Sequence, residues 1–124
     1  MTDDTIIYRQ IHPSFVQSGF STSQAFRPTP KDESKLSVYD GDLISPELSW
    51  KHYTEKLKFA SAGVQGLAVS ECNAESLKVY ADTAESFAEH AVIDFGKFTD
   101  KECRKISKQL QAKAAERGWL YVKP

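Results

Sequence analysis

The sequence has little cysteine and no long apolar run. Its two cysteines, Cys72 and Cys103, have no second Cys or His at the spacing of a metal site. No apolar stretch approaches the roughly 20 residues that span a bilayer, and the acidic start MTDDTIIYRQ is not typical of a signal peptide. These absences predict a cytoplasmic protein without a metal site, whose cysteines are buried apolar side chains. A disulfide is the alternative for the cysteines.

The short signatures of well-marked enzyme classes are also missing. The chain contains no GxGxxG, GxxxxGK[ST], HExxH, CxxC or GxSxG pattern and no EF-hand loop. This excludes the enzyme classes that those signatures define, although many active sites carry no short linear motif. The residues therefore predict no cofactor and leave open whether the protein catalyses a reaction.

Composition and charge are those of an ordinary globular chain. Hydrophobic residues make up 40% of the 124 residues and aromatic residues 11%, which predicts one folded domain over 1–124. Residues 97–124 hold 8 Lys/Arg against 3 Asp/Glu, whereas residues 1–96 hold 8 against 14. A basic helix face in solvent explains this better than a nucleic-acid surface, because no aromatic residues interleave with the charges.

Hydrophobic patterning predicts several short strands and two main helices. The helices are expected at about 45–58, with Ser45 before Pro46, and at 99–117, with Thr99 and Glu102 in a capping box. Strands are expected at 5–11, 35–41, 64–69, 77–82 and 91–95, with a turn at 73–76 and one or two helical turns at 13–19. Residues 119–122 are expected either as an edge strand or packed against the last helix. This order predicts the α+β class, a single compact domain with a mixed or mostly antiparallel sheet.

The segment STSQAFRPTPKDE, residues 21–33, is polar and interrupted by Pro28 and Pro30. Proline lacks a backbone donor and pushes the preceding residue towards extended conformations, so a regular central strand through 27–31 is disfavoured. Phe26 is expected to anchor the segment to the core, which leaves its polar side chains to face solvent or a cleft.

Side chains suited to an anionic ligand concentrate in residues 9–42. Arginine offers a planar fork of donors to phosphate or carboxylate, and hydroxyls and loop amides can complete such a site. The predicted ligand-binding residues are Arg9, His12, Ser21, Ser23, Gln24, Arg27 and Lys31. His12 and His90 are the candidates for acid–base chemistry, since histidine titrates near neutral pH. The alternative is a solvated loop. His52, expected on the polar side of a surface helix, has no predicted role.

The chain resembles a family of small uncharacterised bacterial proteins that carry the pattern YRxIHPxxxxxG…TSQAFRPTPKDxxxLSVYDGD…HAxIDF. The matching residues run from Ile6 through HAVIDF at 90–95 to GWLY at 118–121. The resemblance implies that segment 21–33 is part of a family signature, and it implies no activity.

A second resemblance is to ADP-ribosyltransferases, in which an Arg or His on the first strand and a Ser-Thr-Ser element help to hold NAD. Tyr8-Arg9, His12 and Ser21-Thr22-Ser23 would take these parts. Glu71 or Glu89 would have to serve as the catalytic acid. The chain departs from that family because the Ser-Thr-Ser follows the arginine by only about a dozen residues and no ExE pattern is present.

Two functions are consistent with these features. The first is a small binding or accessory protein that recognises a protein partner or a small anionic, phosphate- or nucleotide-like ligand through residues 9–42. The alternative is a small enzyme acting on a nucleotide-like substrate, with ADP-ribosyl transfer as one version. The sequence predicts neither the oligomeric state nor the identity of the ligand.

Overall fold

A computed structural model describes residues 1–29, 33–82 and 87–124. These residues form a six-stranded antiparallel sheet, a two-stranded hairpin and three α-helices, which confirms the predicted α+β class. The strands of the large sheet, in spatial order, are β6 (Lys78–Ala81), β7 (His90–Asp94), β4 (Lys35–Asp40), β1 (Ile6–Ile11), β5 (Gly63–Ala68) and β8 (Trp119–Val122). The five predicted strands and the edge strand at 119–122 are therefore all present, with shifts of at most one residue at their ends.

Strand β1 lies inside the sheet because its side chains are apolar on both faces. Ile7 and Ile11 are buried in the larger core cluster on one face, and Tyr8 is buried in a second cluster on the other. β1 pairs with β5 over its whole length but with β4 only at Ile7 and Tyr8. β1 is thus paired with β5 along its whole length, whereas β1 and β4 separate beyond Tyr8.

The long helix α3 (Asp100–Arg117) covers the face of the larger core. The Thr99 hydroxyl accepts from the Glu102 amide at 3.2 Å, and the Glu102 carboxylate accepts from the Thr99 amide at 2.9 Å, so the predicted capping box is confirmed. Gly118 ends the helix at φ +83°, a conformation that favours glycine. The buried stripe consists of Cys103, Ile106, Ser107, Leu110 and Ala114.

The opposite face carries the shorter helix α1 (Pro46–Lys51), which continues without a break as a π-helix over His52–Lys56. Ser45 caps its start by accepting from the Leu48 amide. The Leu57 amide donates to the His52 carbonyl at 3.1 Å, which is the i to i+5 bond that defines the π geometry. The helix predicted at 45–58 is confirmed in position, but half of it is wound more loosely than expected.

Two local predictions are right only in part. Residues 73–76 were expected as a turn after a strand ending at Val69, but Val69–Ala74 form helix α2 and only residues 75–76 form a turn. Its start is stabilised because the Glu71 carboxylate accepts from the Ala68 amide at 2.7 Å. Within 13–19, only Pro13–Phe15 form a helical turn, of the 3₁₀ type. The chain then enters the hairpin of β2 (Val16–Gln17) and β3 (Phe20–Ser21).

The polar segment is anchored as expected. Ser23–Phe26 form a short 3₁₀ helix, and the Phe26 side chain is fully buried in the core beneath α3. Residues 27–29 are not part of a strand, and Pro30 lies outside the described residues. Both cysteines are unpaired and buried, as predicted. Among the described helices, none is both long and apolar enough to span a bilayer.

Candidate functional site

A cavity of about 460 Å³ lies where the strands meet the π-helical segment. The strands and the helical segment both contribute side chains to its walls. Among the described residues, the lining consists of Arg9, Gln10, Ser37, Val38, Tyr39, Tyr53, Leu57, Phe59, Phe87 and His90. The cavity thus combines one permanent cation, three hydroxyls and an imidazole with apolar and aromatic surface.

The cavity exists because β1 and β4 separate beyond Tyr8 and Tyr39, where their pairing ends. Arg9 occupies the resulting gap. Its Nη1 donates to the Ser37 carbonyl at 2.9 Å, and its Nε donates to the Ala25 carbonyl at 2.8 Å. The guanidinium therefore donates to a β4 carbonyl at the point where the backbone hydrogen bonds between β1 and β4 end. It also links the sheet to the 3₁₀ helix of the polar segment.

The Arg9 charge acts on the phenol of Tyr53 across the cavity. Burial raises the pKa of Tyr53, and the positive charge of Arg9 works in the opposite direction. Because Arg9 and Tyr53 both line the cavity, the guanidinium charge acts on a cavity hydroxyl as well as on the backbone carbonyls that it binds.

Aromatic rings form part of the cavity wall, and Phe87 contacts several of them. Its ring centroid lies 5.5 Å from that of Tyr39 in a stacked arrangement, 4.5 Å from that of His52 and 5.3 Å from that of His90. Tyr53 and Phe59 make a second pair with centroids 5.2 Å apart. These separations are those of favourable aromatic contacts, so the wall is a packed surface.

Tyr39 and His52 share a short hydrogen bond. The Tyr39 hydroxyl lies 2.7 Å from His52 Nδ1, and Tyr39 is almost completely buried. Burial, followed by the charges of Tyr53 and Glu89, raises the pKa of the Tyr39 phenol far above its ordinary value. Tyr39 is therefore a neutral hydroxyl at physiological pH. His52, given no role from the sequence, is half-buried and helps to position the aromatic wall.

Gln10 is held by a buried polar network beneath α1. Its Nε2 donates to the Ser49 hydroxyl at 3.0 Å, and its Oε1 accepts from the Ser61 hydroxyl at 2.8 Å. Because both ends of the amide are bonded to the protein, Gln10 fixes helix α1 against the sheet.

The structure brings together Arg9 and His90 from the sequence-predicted residues and places the other described ones elsewhere. His12 is exposed and accepts from the Ser14 amide at 3.0 Å, and the buried Ser21 donates to Gln65 Oε1 at 2.6 Å. Arg27 lies near Cys103 of α3: burial raises the pKa of that thiol and the Arg27 charge opposes the rise. Ser23 and Gln24 belong to the 3₁₀ helix and do not line the cavity, and Lys31 lies outside the described residues.

Sequence reasoning missed Ser37, Tyr53, Phe59 and Phe87. The helical spacing of Tyr53 predicts only that it belongs to the apolar stripe of a helix, and the position of Phe87 beside a strand predicts only a core residue. Neither residue therefore carries a local functional signal. Ser37 alternates with buried residues along β4, which places it on the same face as Tyr39. That alternation is the one pattern that could have pointed to Ser37.

No group of three or more potential metal ligands is present among the described residues. Of the residues that the ADP-ribosyltransferase resemblance would use, Ser21 is bonded to Gln65 and Glu71 forms an ion pair with Arg117 at 2.9 Å. No family model matches the chain, and no curated protein or solved structure matches it either.

Proposed function

We propose that the protein binds a small ligand with an anionic group and an aromatic ring in the cavity beside Arg9. The observation that carries this proposal is the placement of a guanidinium in the wall of a 460 Å³ cavity that four phenyl and phenol rings also line. Cavities of about 300–1,000 Å³ with a few convergent polar groups are the size at which proteins bind small molecules.

The polar side of the cavity suits a phosphate or a carboxylate. Arg9 supplies positive charge at any physiological pH. The hydroxyls of Ser37 and Tyr53 and the imidazole of His90 line the same cavity, so they can add hydrogen bonds to anionic oxygens. No carboxylate is among the described lining residues, which leaves the lining favourable to an anion.

The apolar side suits a planar ring. Phe87 and Phe59 lie on the cavity wall, each already paired with another ring, so a flat ligand can extend the stack. Nucleoside monophosphates and aromatic carboxylates share this combination of an anion and a ring.

Binding is tested by calorimetry and thermal shift with AMP and benzoate, and AMP is compared with inorganic phosphate and adenosine. We expect AMP to bind more tightly than either of its fragments, because each fragment uses only one side of the cavity. Arg9→Met should weaken binding at least tenfold. Phe59→Ala should weaken it too, and this side chain is 57% exposed, so its loss leaves the core intact.

Arg27→Met is the matched control, since Arg27 does not line the cavity. The proposal predicts unchanged affinity in this variant. Loss of affinity in Arg27→Met with full affinity in Phe59→Ala would place the ligand on the polar segment and overturn the proposal. Failure of both AMP and benzoate to bind would also contradict it. Recognition of a protein partner through residues 9–42 stays a prediction.

A further inference from the structure

Two side chains at the cavity and a carboxylate behind them follow the order of a nucleophile, a base and an orienting acid. The Ser37 hydroxyl lies 3.2 Å from His90 Nε2. On the other side of the same ring, His90 Nδ1 lies 3.4 Å from Asp82 Oδ2. Ser37 and His90 both line the cavity.

Adjacent strands hold these residues in place. Ser37 is on β4, His90 begins β7, and Asp82 directly follows β6. β7 pairs with both β4 and β6, and the Asp82 amide donates to the His90 carbonyl at 3.0 Å. Their arrangement is therefore fixed by the backbone of a rigid sheet, which is the support a catalytic geometry requires.

The environment of His90 lacks a purely structural explanation. Its side chain is 8% exposed, and Nδ1 is buried without a hydrogen bond although Asp82 Oδ2 lies 3.4 Å away. Buried polar atoms without a hydrogen bond are rare in folded proteins, and a catalytic role is one of the explanations for them. A proton on Nδ1 directed at Asp82 leaves Nε2 as an acceptor for the Ser37 hydroxyl.

The geometry points to Ser37 as the nucleophile of an acyl-transfer reaction, with His90 as general base and Asp82 as the residue that positions His90. The Ser37 oxygen attacks an ester carbonyl and gives its proton to His90 Nε2. The carbon–oxygen bond of the ester breaks, and His90 returns the proton to the leaving alcohol. Water, deprotonated by His90, then attacks the acyl-serine and releases the acid and the free serine.

Arg9 is placed to stabilise the charge that develops in this reaction. Its Nη1 lies 2.9 Å from the Ser37 carbonyl, so the positive charge is adjacent to the nucleophilic residue. Fixed positive charge near a forming oxyanion lowers the barrier to acyl transfer. The substrate class is a small ester with an aromatic part, which rests on the proposed ligand class of the cavity.

The nucleophile is tested with an alkyl fluorophosphonate, which reacts with activated serines, followed by intact-mass and peptide mass spectrometry. We expect one adduct, on Ser37. It should be absent in Ser37→Ala and should form about 100-fold more slowly in His90→Gln. Ser70→Ala is the control, since Ser70 is exposed on α2 and outside the cavity. Thermal unfolding verifies that each variant folds.

The role of Asp82 is tested by hydrolysis of p-nitrophenyl acetate. We expect Asp82→Asn to lower kcat at least tenfold with little change in KM, and Asp82→Glu to restore part of kcat. Equal losses in both variants would indicate that Asp82 serves only the fold, and would contradict its positioning role.

Absence of an adduct on Ser37, or labelling that is equally fast in His90→Gln, would overturn the inference. If AMP or benzoate binds while Ser37 stays unlabelled, the nucleophile is wrong and the binding proposal stands. If Ser37 is labelled through His90 but neither probe ligand binds, the proposed ligand class is wrong and the nucleophile stands.

Discussion

Arg9 links parts of the chain that the backbone hydrogen bonds of the sheet do not join. It reaches from β1 to a carbonyl of β4 and to Ala25 in the polar segment. Hydrogen bonds that involve a charged group contribute about 1.5–3 kcal/mol each, and the solvent-exposed bond to Ser37 contributes less than the part-buried bond to Ala25. One side chain therefore links the two strands across the gap and contributes the positive charge of the cavity.

Gly41 is required because there is no room for a side chain at this position. A Cβ there would overlap the Ile6 carbonyl oxygen and lie 2.9 Å from the Tyr8 ring. We expect Gly41→Ala to lower the free energy of unfolding by more than about 3 kcal/mol, because backbone atoms cannot move aside. Gly96→Ala is the control. It has open space but φ +59°, so it should cost only about 1 kcal/mol. Chemical denaturation measures both, and equal losses would contradict the steric explanation.

The sequence predicted part of the site at the residue scale. Arg9 and His90 could be named in advance because a reactive side chain at or near a strand end is a recognisable pattern. Phe87 and Tyr53 could not, because their role depends on which strands become neighbours. The polar segment drew attention through its composition, yet its largest contribution is structural: the buried Phe26 and the Ala25 carbonyl that binds Arg9.

At the scale of elements, helix α2 is connected to the sheet and to α3 through Glu71. Its Oε1 accepts from the Ala68 amide at 2.7 Å and from Arg117 Nη1 at 2.9 Å, and Arg117 Nη1 also donates to the Gly66 carbonyl. Burial raises the pKa of Glu71, but the bonds from Arg117 and Ala68 outweigh it, so the pKa lies below its ordinary value.

This lowered pKa predicts how the stability of the connection depends on pH. A carboxyl whose pKa is lower in the folded state contributes stability above its unfolded pKa of about 4.3, and that contribution is lost as pH falls through the folded pKa. We expect Glu71→Gln to lose about 1–2 kcal/mol at pH 7 and much less at pH 3, measured by urea unfolding. Glu47→Gln, which breaks an exposed pair with Lys51 at 3.8 Å, should change little at either pH.

The elements with strong end signals were predictable, and the weakly marked ones were not. Helix α3 has a capping box, 18 residues and a terminal glycine. Helix α2 has only six residues and begins after Ala68, which offers no side-chain acceptor. Its stability comes from tertiary contacts such as Glu71 with Arg117, which the local sequence does not reveal.

At the scale of the molecule, the antiparallel character of the sheet was predictable but its strand order was not. Short strands without regular β–α alternation favour antiparallel pairing. The order places β8 beside β5, more than 50 residues earlier in the chain. Such long-range pairing is determined by the fit of whole faces, and a single sequence offers no local signal for it.

Alkylation of the buried Cys72 thiol measures whether the whole chain is folded. Cys72 is fully buried, and burial raises the pKa of its thiol to about 12, with Glu71 and Glu75 adding to the rise. In a Cys103→Ser background, we expect no alkylation of Cys72 by iodoacetamide at pH 8 in native buffer. Labelling should begin in urea at the unfolding midpoint seen by circular dichroism. Rapid labelling without denaturant would instead show that α2 opens locally.

The lining of the cavity depends on the number of residues in the π-helical turn at His52–Lys56. Each residue advances an α-helix by about 100°, so one deletion within this turn that restored α-helical winding would rotate the residues immediately after it by that angle. Leu57 and Phe59 would then face away from the opening that they now line. Loss or gain of a single codon here is therefore an evolutionary route by which this fold could close or acquire its cavity, with every strand of the sheet left in place.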